Sequence, residues 1–172
     1  YFDDVQWALD FARANREALA THALEVIGDF LPVTEGERVD IHHNFVAREH
    51  WFGREVYVHR KGAVAVPTGK RALIPGSMGT ASYLVEGLGS EASFGSCSHG
   101  AGRVMSRKAA RSAIRPDALK RAMRRVVYPE HLSRHLVEEA PSAYRDITEV
   151  LEDQEDLVRR HLRLEPIAVL KG

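Results

Sequence analysis

The stretch Phe94–Arg103 holds the residue types with the clearest potential for chemistry. It contains the chain's only cysteine, Cys97, with His99 two positions later, and three glycines within the same ten residues. Glycines this close together indicate a tight turn or a close approach of the backbone. The N–H groups of residues 100–102 could line an anion site, as a histidine nucleophile attacking a phosphate would need. An ordinary glycine turn would look the same, so this stretch alone leaves both interpretations open.

A thiol nucleophile with a histidine base is the other chemistry that Cys97 and His99 suggest. Residues two apart on an extended segment point the same way without necessarily touching, so their spacing does not favour such a pair. The chain also has no GxxxxGK[ST] loop, no CxxC or HExxH spacing and no GxSxG elbow. These absences argue against a P-loop nucleotidase, those zinc sites and that type of serine hydrolase.

Length and composition indicate one ordinary globular domain. The chain has 172 residues, of which 44% are hydrophobic and 28% charged, and its 24 basic residues balance its 24 acidic ones. One cysteine cannot form an internal disulfide, which fits a reducing compartment. Without a signal peptide or an apolar run near 18 residues, the sequence predicts a soluble, cytoplasmic protein with no membrane contact.

The neutral balance hides two segments of opposite charge. Residues Arg103–Arg125 include nine Lys or Arg and one acid, whereas Glu130–Glu165 include ten acids and five arginines. A basic segment directly after the glycine-rich stretch could hold phosphates or an RNA backbone. It could equally be a solvated face that pairs with the acidic segment, and the sequence does not decide between the two.

The first third of the chain predicts a long helix and then a strand. Apolar residues recur at helical spacing over Asp3–Ile27, so Trp7 and Phe11 are expected to pack in a core. Residues 39–46 alternate as in a strand, which would place His43 on the apolar face and His42 on the opposite one. A histidine on an apolar face is normally a satisfied core residue, and the pattern alone does not make His43 a metal ligand.

The remaining pattern predicts an α+β fold with a central, mostly antiparallel sheet or sheets and flanking helices. Ser106 is expected to cap a helix over residues 107–113, and Pro116 to begin the next one. The strand at 63–66 is expected to pair with the one at 71–74 across a Pro-Thr-Gly turn. Strands are predicted at residues 55–59, 63–66, 71–74, 81–85, 126–128, 158–164 and 167–170.

Five short strings occur in the order, and closely the spacing, of one known family. They are His43-Asn44, RKGA at 60–63, IPGSMG at 74–79, SHGAGR at 98–103 and the terminal Lys171-Gly172. With them the chain resembles the C-terminal part, somewhat under half, of the RtcB family, the GTP-dependent RNA ligases of tRNA splicing and RNA repair. The resemblance implies an RtcB-like α+β fold and extends over essentially all 172 residues.

The resemblance also implies a reaction and its partners. In this family a histidine attacks the α-phosphate of GTP, and the resulting guanylate passes to an RNA 3′-phosphate. A 5′-hydroxyl then displaces GMP and seals the strand, a 2′,3′-cyclic phosphate being opened first. By motif, His99 is the expected nucleophile and His43 the expected Mn²⁺ ligand. GTP, RNA (tRNA halves or broken RNA) and an archease-like activator are the expected partners.

Further positions match family contacts to the guanylate, and several family features have no counterpart. The aspartate, the cysteine and the further histidines that complete the family's metal site come from the N-terminal half. The chain alone is therefore expected neither to ligate RNA nor to accept guanylate efficiently. The alternative is a non-catalytic guanylate- or RNA-binding module, or a scaffold that another chain completes. The expected guanylate contacts are Asn44, Pro75, Gly76, Ser77, Met78, Ser82, Gly100, Ala101, Gly102 and Lys171.

Overall fold

The computed structural model describes residues 1–171, so the last residue of the Lys171-Gly172 motif lies outside the described residues. The predicted α+β class is confirmed. The helices are α1 (Phe2–Gly28), α2 (Arg107–Ala113), α3 (Pro116–Ala122), α4 (Ser133–Leu136) and α5 (Ile147–Glu152). The strands are β1 (Asn44–Trp51), β2 (Arg54–Lys61), β3 (Ala63–Ala65), β4 (Arg71–Ile74), β5 (Ser82–Gly87), β6 (Ser96–Ser98) and β7 (Val158–Leu164). Single 3₁₀ turns cover Glu91–Ser93, Glu130–Leu132, Val137–Glu139 and Pro141–Ala143.

The strands form three small antiparallel sheets. β1 pairs with β2, β3 with β6, and β5 lies between β4 and β7. The predicted pairing of β3 with β4 is wrong, because the turn after β3 carries the chain to β5 instead. The N–H of Gly69 donates to the carbonyl of Gly87 (2.9 Å), and the N–H of Gly87 donates to the carbonyl of Lys70 (2.9 Å). A turn signal gives the place of a reversal but not the strand that is reached.

The buried apolar residues form two separate cores. The first contains Val64 of β3, Ile74 of β4 and Leu151 of α5, and the second contains Met78 with Leu119 of α3. The loop at residues 75–80 thus leaves one core at Ile74 and enters the other at Met78. Burial at both ends holds this loop in a fixed place.

Helix α1 confirms the predicted helix, but the expected burial of its apolar stripe is wrong. None of its residues is buried, and Trp7 and Phe11 are 71% and 64% exposed. The helix meets the β1–β2 hairpin near its own start, where Phe2 packs edge-on against Tyr57. No element among residues 1–171 covers Trp7 and Phe11, which stack on each other at 5.9 Å.

Three other expectations about strands are wrong. Residues 39–43 are not in a strand, since the ladder between β1 and β2 begins at the pair Asn44–Lys61. Residues 126–128 and 167–170 meet through a single parallel bridge, with the N–H of Val127 donating to the carbonyl of Ile167 (2.9 Å). One bridging residue is too short a pairing to form a strand.

Helix α2 is capped as expected, with the Ser106 hydroxyl accepting from the N–H of Ala109 (3.1 Å).

No helix in the described part of the chain combines the length and the apolar character that crossing a membrane requires.

A buried arginine ties the β1–β2 hairpin to the segment that leads into β6. Arg60 is 4% exposed, and its guanidinium donates to both carboxylate oxygens of Glu49 (2.6 and 3.0 Å). It also donates to the Ser96 hydroxyl (2.9 Å) and to the carbonyl of Phe94 (2.7 Å). Burial alone would raise the pKa of Glu49, but hydrogen bonds from Arg60 and Trp51 lower it overall. Arg60 therefore joins two sheets through one satisfied charge.

Replacing Arg60 by methionine should lower the free energy of unfolding by about 2–3 kcal/mol, because it leaves a mostly buried carboxylate without its partner. The measurement is urea denaturation at pH 7. Arg159→Met is the control, since Arg159 pairs with Glu86 at 2.7 Å but its side chain is 67% exposed, and its loss should cost less than about 1 kcal/mol. Because the pKa of Glu49 is lowered, the Arg60 contribution is present above the unfolded pKa of a glutamate and is lost as the pH falls through the lower folded value. Equal effects of the two substitutions at pH 7 would contradict this account.

Candidate functional site

Gly62, within the RKGA string, connects the two motif histidines. Its N–H donates to the carbonyl of His43 (2.8 Å) and to Oδ1 of Asn44 (3.1 Å). Its carbonyl lies 2.6 Å from Nδ1 of the His99 ring. Gly62 has φ +69°, and a Cβ there would lie 3.4 Å from Cε1 and Nδ1 of His99. The positive φ therefore favours a glycine here, whereas a Cβ would make only an ordinary van der Waals contact with the ring.

His43 and His99 lie against each other. Their rings stack with centroids 5.4 Å apart and planes 15° from parallel. His43 is exposed and His99 is half-buried. The expectation that His43 shares a strand face with Val39 and Ile41 is wrong, because the β1–β2 ladder begins only at the next residue, Asn44. Outside the ladder, its ring is free to face His99 instead of a core.

The carbonyl of Gly62 determines which nitrogen of His99 carries the proton. A carbonyl oxygen can only accept a hydrogen bond, so Nδ1 of the neutral ring must be the donor. The lone pair is then on Nε2, the nitrogen that points away from this contact. A neutral imidazole with a free Nε2 is a competent nitrogen nucleophile near pH 7.

The SHGAGR loop packs directly on the loop that begins at Pro75. The N–H of Ala101 donates to the carbonyl of Pro75 (2.9 Å), so that N–H is not available to bind an anion. A Cβ on Gly100 would come within 3.0 Å of the same carbonyl, which explains a glycine there. Gly102 has φ +73°, and a Cβ there would meet no atom within 4 Å, so its glycine serves the turn itself. Of the three expected anion-binding N–H groups, one is thus occupied within the protein.

Hydroxyl groups hold the second loop in shape. The N–H of Ser77 donates to the Thr80 hydroxyl (2.7 Å), and the two hydroxyls lie 2.9 Å apart. The N–H of Gly76 lies 3.4 Å from the hydroxyl of Ser82. The side chain of Met78 is buried in the second core, so that residue could contact a ligand through its backbone only.

Lys171 and Arg103 both pair with one carboxylate, Glu139, which the sequence analysis did not identify as a site residue. Glu139 is 3.5 Å from Nζ of Lys171, 3.4 Å from Nη1 of Arg103 and 3.3 Å from Nε of Arg107. It also accepts from the hydroxyl of Tyr144. Burial would raise the pKa of Glu139, but Tyr144 and the surrounding cations lower it overall. The only sequence signal for Glu139 was its place in the acidic segment.

A cavity of about 540 Å³ opens beside this acid. Arg107, Glu138, Glu139 and Lys171 supply its charged lining, and His135 lies on its wall. The structure therefore places the expected guanylate residue Lys171 at a cavity that adjoins the end of the SHGAGR motif. No hydrogen bond or ion pair of residues 1–171 joins this cavity directly to His99.

The basic segment divides into paired and unpaired residues. Arg103, Arg107 and Arg111 pair with Glu138 or Glu139, and Lys120 pairs with Glu130. The interpretation as a face that pairs with the acidic segment is confirmed for these residues, and phosphate or RNA binding stays a prediction for the others. The exposed cations that form no ion pair within residues 1–171 are Lys108, Arg115, Arg121, Arg124 and Arg125.

Within residues 1–171 the structure brings together no cluster of metal ligands, and its cysteine is not a thiol nucleophile. Among residues 1–171 no three His, Cys, Asp or Glu side chains come together to hold a metal ion. The exposed imidazole of His43 fits one position in the ligand set of a divalent transition metal. Cys97 is buried, and burial raises the pKa of its thiol to about 12, so it stays protonated at neutral pH.

Comparison with known proteins gives one consistent family. A family model described as tRNA-splicing ligase RtcB matches residues 1–172. The RNA-splicing ligase RtcB of Escherichia coli (strain K12) is 40% identical over all of this chain and 44% of its own length. The RNA-splicing ligase RtcB of Mycobacterium bovis is 35% identical over 96% of this chain and 43% of its own length. The tRNA-splicing ligase RtcB of Pyrococcus horikoshii is 36% identical over 100% of this chain and 23% of its own length. The chain spans less than half the length of these relatives and matches a C-terminal part of them.

Replacing Gly62 by alanine should lower the free energy of unfolding by about 1–2 kcal/mol, because alanine is strained at the positive φ of this position. Urea denaturation measures this. Gly36→Ala is the control, since a Cβ there meets nothing within 4 Å and its φ is not positive. Equal stability of the two variants would contradict the strain expected from the positive φ of Gly62.

Proposed function

The chain belongs to the RtcB family of tRNA-splicing ligases, and on that premise we propose that it is the nucleophile-bearing part of a GTP-dependent RNA ligase. The observation that carries the proposal is the arrangement at Gly62, which holds His43 against His99 and leaves Nε2 of His99 unprotonated.

The first step of the proposed reaction takes place at Nε2 of His99. Its lone pair attacks the α-phosphorus of GTP, a P–N bond forms, and the bond from that phosphorus to the pyrophosphate oxygen breaks. Pyrophosphate leaves with the bonding electrons, and guanylate stays on Nε2. Because Nδ1 keeps its proton on the carbonyl of Gly62, the substituted ring is cationic and remains a good leaving group.

The guanylate then activates the RNA end. An oxygen of the RNA 3′-phosphate attacks the guanylate phosphorus, and the P–N bond breaks with its electrons returning to Nε2. The 5′-hydroxyl of the second RNA attacks the activated 3′-phosphate, a phosphodiester bond forms, and GMP leaves while the hydroxyl proton passes to a base or to water. A 2′,3′-cyclic end is first opened by water to the 3′-phosphate.

Two sets of residues would position the ligands. His43 would supply one imidazole ligand for Mn²⁺, which would neutralise charge on the triphosphate. Oδ1 of Asn44 accepts from the N–H of Gly62, so the amide nitrogen is left to donate to a guanylate oxygen. Lys171 would face the guanylate from the cavity beside Glu139.

We further propose that a segment outside these 172 residues completes the metal site. Three observations support this: the chain spans less than half of its relatives, residues 1–171 bring no three metal-binding side chains together, and the apolar stripe of α1 is exposed. The chain alone should therefore react poorly with GTP. An archease-like activator stays a prediction from the family.

A direct test is to fuse residues 1–172 to the part of the E. coli relative that precedes the matched region, and to incubate the fusion with Mn²⁺ and GTP labelled at the α-phosphate. Acid-labile, alkali-stable label should appear on the protein. His99→Ala should abolish it, because the substitution removes the nitrogen that attacks the phosphate. His161→Ala is the matched control, since His161 is exposed on β7. Label that survives His99→Ala would overturn the assignment.

The same experiment separates the alternative function. Five unpaired cations after the SHGAGR motif favour a module that binds RNA without reacting. Salt-dependent RNA binding by the fusion with no covalent guanylate would support that alternative over the ligase.

A further inference from the structure

Three aromatic side chains form an open cluster at the turn of the β1–β2 hairpin. We call Trp51, Phe52 and Phe94 the aromatic platform. The rings of Phe52 and Phe94 meet edge to face at 5.5 Å, and those of Trp51 and Phe94 at 6.0 Å. Phe52 is 55% exposed and Phe94 36% exposed. The proposed reaction uses none of the three.

Two members of the platform occupy costly backbone conformations. Phe52 (φ +53°) and Phe94 (φ +54°) are the only non-glycine residues within 1–171 with positive φ. Phe52 and Gly53 are the central residues of the two-residue turn between β1 and β2, a position that favours Asn, Asp or Gly. A hairpin that only had to close would be more stable with asparagine there. Because the Phe52 ring stays more than half in solvent, burial does not repay the strain.

A buried network fixes the platform from behind. Arg60 donates to the carbonyl of Phe94 (2.7 Å), and Glu49 accepts from the indole N–H of Trp51 (2.7 Å). Gly95 lets the chain pass the indole, since a Cβ there would lie 3.1 Å from Trp51. Trp51 and Phe94 border a cleft of about 370 Å³ that Glu49, His50 and Pro67 also line, and Phe52 lies outside this lining. The network thus holds Trp51 and Phe94 in place at the cleft, while the exposed ring of Phe52 rests edge to face on Phe94.

The platform lies close to both a free cation and the candidate site. Arg54 is directly opposite Trp51 in the ladder, so the two side chains share a face. Arg54 is exposed and forms no ion pair within residues 1–171. Strand β6 runs between Phe94 and His99, which are five positions apart in the chain and so at most about 18 Å from each other. Exposed rings beside a cation are how proteins bind single-stranded nucleic acid with little dependence on sequence.

We propose that the aromatic platform stacks a base of the RNA strand whose end reaches His99, with Arg54 on the strand's phosphate backbone. This rests on the proposed function for its choice of RNA over other ligands. The platform would align an RNA end with the nucleophile without reading its sequence, as a ligase acting on many ends requires.

The test uses the 172-residue chain with Trp7→Phe, so that Trp51 is the remaining tryptophan, and an oligoadenylate of about eight nucleotides, within the usual range of such sites. The RNA should quench Trp51 fluorescence. Phe52→Gly should weaken binding by about fivefold to a hundredfold, the loss expected for one stacked base, while Tm stays equal or rises as the strained φ is relieved. Phe30→Ser, at a side chain that is 82% exposed, is the control and should change neither quantity.

The two possible roles of Phe52 predict opposite results. If the ring serves packing, Phe52→Gly lowers Tm and leaves RNA affinity unchanged, which overturns the proposal. RNA that fails to quench Trp51 also overturns it. The proposal is also overturned if Trp51 fluorescence is quenched by the added N-terminal polypeptide of the E. coli relative and not by RNA, because the platform would then be a protein interface. Arg54→Gln should lower the salt dependence of RNA binding by about one counterion. His99-linked guanylate combined with a null effect of Phe52→Gly would refute the platform alone, whereas absence of that guanylate would refute the proposed function.

Discussion

The hydrogen bond from the His99 ring to the carbonyl of Gly62 is the contact on which the candidate site depends. Gly62 contacts both motif histidines through its backbone. Its N–H donates to the carbonyl of His43, and its carbonyl accepts from Nδ1 of His99. The stacking of the rings and the free Nε2 both follow from this. A neutral carbonyl holds the ring in one tautomer without adding a negative charge, which would repel a phosphate.

The rest of the fold keeps Gly62 in its place. Arg60, two residues earlier, is buried and bonded to Glu49, Ser96 and Phe94, so it links the hairpin to β6. β3 begins directly after Gly62 and pairs with β6, which ends directly before His99. The same buried arginine also fixes the aromatic platform, so the nucleophile and the proposed base contact share one support.

Sequence reasoning predicted local structure correctly where short-range contacts decide it, and the roles of His99 and His43 stay predictions from the family resemblance. His99 among glycines, the Ser106 cap and the ends of α1 and β4 all follow from short-range rules. It failed where distant contacts decide. The amphipathic pattern of α1 correctly predicts a helix, but nothing in 172 residues shows whether a partner covers Trp7. Alternation over residues 39–46 suggested a strand face for His43, but the pairing of Asn44 with Lys61 ends the ladder. The role of Glu139 could not be predicted locally, because its partners Arg103 and Lys171 are more than thirty positions away in each direction and meet it only in the folded chain.

The central claim is that the carbonyl of Gly62 holds the proton of His99 on Nδ1. Long-range ¹H–¹⁵N correlation spectra of the ¹⁵N-labelled chain, recorded at a pH where the ring is neutral and assigned with His99→Ala, measure this directly. The account predicts a protonated Nδ1 and an unprotonated Nε2 for His99. A neutral His99 that carries its proton on Nε2 would contradict it, because that nitrogen would then have no lone pair with which to attack a phosphate.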